Sequence, residues 1–388
     1  MTRTTGATRI SGRLLLDGEL VPGALTLAAG RIAEVEQLPA GAADARLSVV
    51  CPGLIDLHVH GFGGADPLDG LDAMAAALAR AGTTAFQPTL FPAAPDALGA
   101  TCERLAPSLG LESREGRARA VGLHLEGPFV NPRAAGALPV ADLAAPSLEG
   151  LRAILGPASG DGRGVRTVTL APELAGASEL VAELERSGVR VSLGHSLASA
   201  AEARAALRAG AGGATHLYNA MRPIHHREAG LAGVALTEDL LFAEIIGDLV
   251  HVGPEAFDLA LRARGPLGLC LVSDALPGAG TGCEVFHWHG REHLVRAGTS
   301  YYPPAAEGGE PRLCGSAMSQ LEMVRRLVER GVVGLADALT MACEAPARAL
   351  GLEHDLGRLV AGARADVLVL APDGLALERV LVGGKEPR

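Results

Sequence analysis

The densest chemistry in the chain sits in the run Pro52-Gly53-Leu54-Ile55-Asp56-Leu57-His58-Val59-His60-Gly61. The run is short and rich in β-formers, opened by Pro-Gly and closed by Gly61-Phe62-Gly63-Gly64, so it reads as a buried strand ending in a loop. Side chains alternate along a strand, which puts Asp56, His58 and His60 on one face. Two neutral imidazoles at that spacing converge on one point, as ligands of a zinc-like ion would. The same spacing serves equally for two hydrogen-bonded histidines at a strand end, so the assignment turns on what else reaches the same place.

What reaches it is decided by the elements. Through residues 53–352 β-like runs alternate with helical stretches rich in Ala, Leu and Arg. Strands are expected to start near Leu54, Thr83, Ala120, Arg166, Arg190, Ala214, Phe242 and Leu267. Helices such as 71–80, 178–186 and 198–209 fall between them, with Gly82, Gly188 and Gly210 close to their C-termini. About eight such units predict an α/β fold of the (β/α)8 TIM-barrel type, with a doubly wound sheet as the alternative topology. In a barrel, functional side chains gather at the C-terminal strand ends. His58 and His60 end the first strand, Glu126 the third, His195 the fifth and His216 the sixth, while His251 follows the seventh and Asp274 ends the eighth. So many ionisable groups on one rim face steep desolvation and repulsion costs unless a metal ion holds them.

At the two ends the pattern is different. Residues 8–50 and the segment from Gly357 onward alternate short β-like runs with turns, and neither set closes a core alone. A small composite β-sandwich domain, residues 1–52 with 353–388, is therefore expected beside a catalytic barrel of 53–352. A net charge of −10, the lack of a basic tract and only 3% aromatic residues speak against a nucleic-acid partner. No apolar run approaches the roughly 20 residues of a membrane span and the N-terminus lacks a signal-peptide core, so a cytoplasmic enzyme is expected. The six cysteines are scattered without a Cys-x-x-Cys pair, which reads as reduced, mostly buried thiols.

Five motifs carry a resemblance: the run at 52–61, His-Leu-Glu-Gly-Pro-Phe at 124–129, Gly-His-Ser at 194–196, Thr-His-Leu-Tyr-Asn-Ala-Met at 215–221 and Val-Ser-Asp-Ala at 272–275. Over nearly its whole length the chain resembles the N-acetylglucosamine-6-phosphate deacetylase family of the amidohydrolase superfamily. The resemblance implies metal-dependent hydrolysis of N-acetylglucosamine-6-phosphate to glucosamine-6-phosphate and acetate. It implies Glu126, His195 and His216 as the principal metal ligands, with zinc the first expectation and iron or another divalent ion open. Many amidohydrolases bridge two metals through a carboxylated lysine, but the only lysine here is Lys385 in the tail. Some family members lack the His-x-His and hold one ion; His58 and His60 are both present, so one or two ions are expected. Asp274 is expected to accept a proton from the attacking water and donate to the departing amine, and His251 to hold or polarise the amide carbonyl. Substrate contacts map onto Ala137, Asn219, Ala220 and His251. The family's phosphate-pairing arginine maps onto Arg227, whose planar fork suits that anion. In the family this arginine reaches the neighbouring subunit's site, which implies a homodimer.

Three departures bear on the substrate. Leu138 stands where the family carries a sugar-contacting histidine, Asp248-Leu249-Val250-His251 replaces Asp-Gly-x-His, and Cys283 to Arg312 matches poorly. In that last stretch His287 and His289 repeat the two-residue spacing, and a solvated hairpin is the expected reading. A deacetylase of another N-acyl amino sugar, such as N-acetylgalactosamine-6-phosphate or an unphosphorylated sugar, would show this pattern. A non-catalytic paralogue would be expected to have lost some of Glu126, His195, His216 or Asp274, and none is lost.

Overall fold

The computed structural model describes residues 7–39, 46–112, 116–156, 164–306 and 309–387. Eight parallel strands lie side by side in sequence order: Leu54–Val59, Thr83–Leu90, Leu123–Glu126, Val165–Leu170, Arg190–Leu193, Gly213–Ala214, Phe242–Ile246 and Leu269–Val272. That is the order of a barrel; a doubly wound sheet would reverse direction partway. The third strand is interrupted, with the short piece Arg119–Ala120 also pairing with the second. Leu54–Val59 is buried at every position, as expected for a parallel strand covered on both faces.

Where the first and eighth strands meet, side chains replace most of the regular ladder. Ser273 N–H donates to Asp56 Oδ1 at 3.1 Å and Asp274 N–H to the His58 carbonyl at 2.9 Å. The buried amide of Gln320 donates to the carbonyls of Ile55 and Leu271, at 2.8 and 2.7 Å. The closing seam therefore runs directly beneath His58 and Asp274.

The helices follow from apolar spacing and capping. Leu71–Arg80 buries Met74, Ala75, Leu78 and Ala79, one stripe at intervals of one, three and four. The helix expected over 198–209 spans Ala200–Arg208, because Ser199 caps it and exchanges hydrogen bonds with Glu202 in a capping box. Leu267, expected to open the eighth strand, belongs instead to the last turn of Pro254–Gly268, and the strand begins at Leu269.

The two chain ends form one six-stranded sheet in the order Leu377–Leu381, Val367–Leu370, Val49–Pro52, Thr8–Leu16, Glu19–Ala28, Arg31–Gln37. Its outer strand is tied back by Ile32 N–H to the Ala363 carbonyl and by an Arg31–Arg364 bridge. The sheet thus rolls over its own apolar cluster, which includes Leu14, Leu25, Ile32, Val50 and Val367. The 283–312 stretch belongs to a third, antiparallel sheet of Val285–Trp288, Arg291–Arg296, Thr299–Tyr302 and Arg312–Ser316. Side chains fasten it to the barrel rim through Trp288 Nε1 to Asp66 (2.7 Å), Thr299 Oγ1 to Asp248 (2.9 Å) and Tyr302 Oη to the Ala137 carbonyl (3.3 Å), and Ser316 N–H donates to the Asp274 carbonyl at 2.8 Å. Among the described residues no helix is long and apolar enough to cross a membrane.

Barrel and terminal sheet are joined by a buried, two-pronged ion pair. Arg119 Nε and Nη2 each donate to Asp366 at 2.9 Å, and Asp366 also accepts from Gly383 N–H. Removing one partner strands the other charge in the interior. Asp366→Ala is therefore expected to destabilise the protein by roughly 3–5 kcal/mol, read from urea unfolding, and a loss under 1 kcal/mol would show that the pair is not holding the junction.

Candidate active site

Six of the seven chemistry-bearing residues close on one point at the barrel mouth. Glu126, the last residue of the third strand, is the common neighbour. Its Oε1 lies 3.0 Å from His195 Nε2, 3.1 Å from His216 Nε2 and 3.4 Å from His58 Nε2, while Oε2 lies 3.3 Å from His60 Nε2. Asp274 Oδ1 closes the far side, 3.5 Å from His58 Nε2 and 3.4 Å from His60 Nε2. Among the described residues two groups of three have ligand atoms close enough to hold an ion, His58 with His60 and Glu126, and Glu126 with His195 and His216. Glu126 belongs to both.

Leaving the strands at this point requires unusual backbone. His195, His216 and Asp274 have φ of +47°, +32° and +48°, and Ala220 has +50°. Such left-handed residues cost on the order of 1–3 kcal/mol each when they are not glycine, and persist only where the surroundings over-determine them. Here the sharp exit turns each side chain back over the strand ends.

The outward nitrogens decide what the inward ones offer. His195 Nδ1 is 2.9 Å from the carbonyl of Ala134, which can only accept, so the proton of the neutral ring sits on Nδ1 and Nε2 presents a lone pair. His58 Nδ1 is likewise 3.0 Å from Glu244 Oε2. Lone pairs aimed at the Glu126 carboxylate repel it unless positive charge lies between them, and His195 and His216 Nε2 stand only 2.9 Å apart beside it. Burial works against charge at each group, yet His58, His195 and the bonds to His195 and His216 hold Glu126 well below the usual carboxylate range. Burial likewise pushes His58 down, but Glu126, Asp274 and Glu244 overcome it and lift the ring to about 10, so a proton on His58 is one form in which the cluster takes up positive charge and a metal ion would displace it. The pocket draws in cations, and a set of imidazole nitrogens around a carboxylate fits a divalent ion of the zinc or iron type.

The seventh residue, His251, faces the same space from beyond the cluster. Asp248 anchors it, accepting from Nδ1 at 2.7 Å and from the backbone N–H groups of Val250 and His251, both at 2.9 Å. Burial lowers the pKa of His251, and the Asp248 bond outweighs that and raises it, which favours a ring able to donate from Nε2. A cavity of about 190 Å3 joins His251 and Asp274 to Ala137, Asn219 and Ala220, with Leu138 in its wall. Leu138 is buried in a small apolar cluster with Val130 and Ala135, so no polar group occupies the place of the family histidine.

Some expected residues lie elsewhere. Arg227 is exposed, its guanidinium against His226, and it does not line the cavity of its own chain. His287 is exposed on the hairpin, and His289 belongs to its turn. The orienting roles of two carboxylates are not apparent from the sequence: Glu244 fixes His58 and Asp248 fixes His251, while Asp56, on the strand of His58 and His60, accepts from Ser273 at the seam. Glu244 did leave a signal, a lone carboxylate within the apolar strand Phe242–Ile246. His124, in contrast, is bonded by Thr89 and Thr169 on its two nitrogens and is held neutral by burial, a core residue.

A family model for the amidohydrolase family matches residues 49–386. The chain is similar to an N-acetylgalactosamine-6-phosphate deacetylase of Escherichia coli, 35% identical with 99% of each chain covered. It is also similar to the human N-acetylglucosamine-6-phosphate deacetylase, 34% identical over 96% of this chain and 93% of the relative. Among solved structures it resembles N-acetyl-D-glucosamine-6-phosphate deacetylase from Mycobacterium smegmatis in complex with N-acetyl-D-glucosamine-6-phosphate, with a TM-score of 0.85, 32% identity and coverage of 98% and 99%.

The shared Glu126 sets a test of the ligand assignment. Alanine at Glu126, His195 or His216 is expected to lower bound metal and activity together, as measured by elemental analysis of purified protein. Alanine at His58 or His60 should take the content from about two ions per chain to about one. Unchanged metal in all the variants would remove these residues from the ligand set.

Proposed function

This chain belongs to the amidohydrolase family, and on that premise we propose that it is a cytoplasmic, metal-dependent deacetylase of N-acetylglucosamine-6-phosphate, releasing acetate and glucosamine-6-phosphate. The observation that carries the reading is the placement of Asp274 and His251 on one cavity beside the Glu126 cluster. A divalent ion on that cluster would lower the pKa of water and polarise a carbonyl. Asp274 takes the proton as water adds to the amide carbon, then delivers it to the nitrogen as the C–N bond breaks. His251, held by Asp248, donates from Nε2 to the carbonyl oxygen and stabilises the charge that gathers there. Leu138, Phe91, Leu276 and Leu313 line the same cavity and keep bulk water from the reacting centre.

Phosphate recognition is the role we assign to Asn219, Ala220 and Arg227. Because Arg227 lies outside its own chain's cavity, this role goes with a homodimer in which each subunit lends the guanidinium to its neighbour. A guanidinium brought into such a site without an anion would be a desolvated charge lacking a partner.

A second reading, N-acetylgalactosamine-6-phosphate as the preferred epimer, is favoured by the relative of that name and by Leu138, which gives the sugar ring apolar surface where the family offers a histidine. The two are separated by acetate release across both epimers, with and without the 6-phosphate. Activity on the glucosamine epimer is expected to be measurable; a strong preference for the other would move the assignment to it.

Two variants test the roles. Asp274→Asn keeps the shape but cannot take a proton, so kcat is expected to fall by at least ~100-fold with substrate binding retained, and a value within a few-fold of wild type would exclude it from proton transfer. Arg227→Ala and removal of the phosphate should each cost about 2 kcal/mol or more in kcat/KM and should be non-additive, since both break one ion pair. Equal turnover of phosphorylated and unphosphorylated sugars would end the phosphate assignment.

A further inference from the structure

A second chamber, of about 420 Å3, opens beside the first. The two share His60, Phe91, Ala137 and Tyr302 as a common wall. The new chamber is larger than the catalytic cavity and falls within the range of roughly 300–1,000 Å3 typical of ligand pockets. Its floor is apolar, with Leu68, Leu90, Leu98 and Trp288 among its residues. An aromatic ridge leads into it from the cluster: His60 packs edge-on against Phe91 at 4.5 Å, and Phe91 lies 5.0 Å from Trp288. Polar groups also line it, among them Asp142 and His289; Asp66 accepts from Trp288 and Arg291 lies over the Tyr302 ring.

Its position relative to the reaction decides what it would hold. The amide carbon has to stand beside Asp274 and His251, with the sugar toward Asn219 and Ala220. The acyl substituent is then left the side of His60, Phe91 and Tyr302, where the second chamber begins. We propose that this chamber is an acyl subsite, and that the enzyme accepts N-acyl groups longer than acetyl, aliphatic chains of three to six carbons, on the same amino-sugar phosphate. The proposal rests on the deacetylase reading above and extends its substrate class. The bond changes are unaltered: water adds to the acyl carbon, the C–N bond breaks, and a longer carboxylate leaves in place of acetate.

The test uses the metal-loaded enzyme with N-acetyl-, N-butanoyl- and N-hexanoylglucosamine-6-phosphate. Butanoyl turnover is expected within ~10-fold of acetyl, since a fitted apolar pocket is worth roughly 10- to 200-fold per methylene and a closed one would reject the longer chain. Ala93, which lines the second chamber and not the first, offers a way to fill it. Ala93→Phe should cut butanoyl and hexanoyl turnover by at least ~10-fold and leave acetyl within ~3-fold.

Trp288 is the only tryptophan in the chain, so its fluorescence reports the chamber directly. In the slow Asp274→Asn protein, the hexanoyl substrate should shift Trp288 emission to the blue and the acetyl substrate should not. This second readout keeps the proposal open to refutation should the Ala93 variant misfold. Acetyl turnover without butanoyl turnover, or equal loss at every chain length in the filled variant, would overturn the subsite and leave the deacetylase reading standing. Failure on all three substrates would instead overturn the reading beneath it.

Discussion

One carboxylate shared among four buried imidazoles is the constraint on which the rest of the site depends. Glu126 and its neighbours are almost fully removed from water, where unpaired charge is costly and converging lone pairs repel. The arrangement is tolerable only with positive charge at its centre, and the surroundings are built to keep the lone pairs pointing there. Glu244 and the Ala134 carbonyl hold the outer nitrogens of His58 and His195, and Asp248 does the same for His251. These outer contacts orient the inner ones, which is how a binding geometry is held ready before the ion arrives.

The barrel serves this constraint by closing where the chemistry is. The seam between first and eighth strands relies on Gln320 and Asp56, and the same seam brings His58 and Asp274 to within 3.5 Å of each other. Left-handed exits at His195, His216 and Asp274 spend backbone stability on direction, an expense the tightly bonded rim can absorb. The antiparallel sheet then covers one flank, and through Trp288 and Tyr302 it shapes the space beyond His60.

The succession of β/α units and the positions of Glu126, His195, His216 and Asp274 were legible because strand periodicity and short motifs are local properties, whereas the order of the strands, which decides between a barrel and a doubly wound sheet, came only from the pairing. What was not legible is set by contacts distant in sequence. Glu244 looks like an odd residue in an apolar strand until His58, 186 positions away, is seen against it. Arg227 carries a motif position, yet within one chain it lies on the surface, and nothing local in the sequence tells a surface arginine from one that lines the cavity. The hairpin histidines His287 and His289 share the spacing of His58 and His60 but are not among the groups that could hold an ion, for spacing does not supply a third ligand. The second chamber could not be read at all, since its walls come from the segments after the first, second and third barrel strands, from the helix Pro95–Leu105 and from the antiparallel sheet together.

Membership of both groups of ligand atoms gives Glu126 the role of a ligand shared between two ion sites. Anomalous X-ray scattering from crystals of the metal-loaded protein, collected on either side of the metal's absorption edge, tests it most directly. Two peaks are expected, one between Glu126, His58 and His60 and the other between Glu126, His195 and His216. A single peak on the His195 side would reduce the centre to one ion, and a peak away from Glu126 altogether would contradict the account.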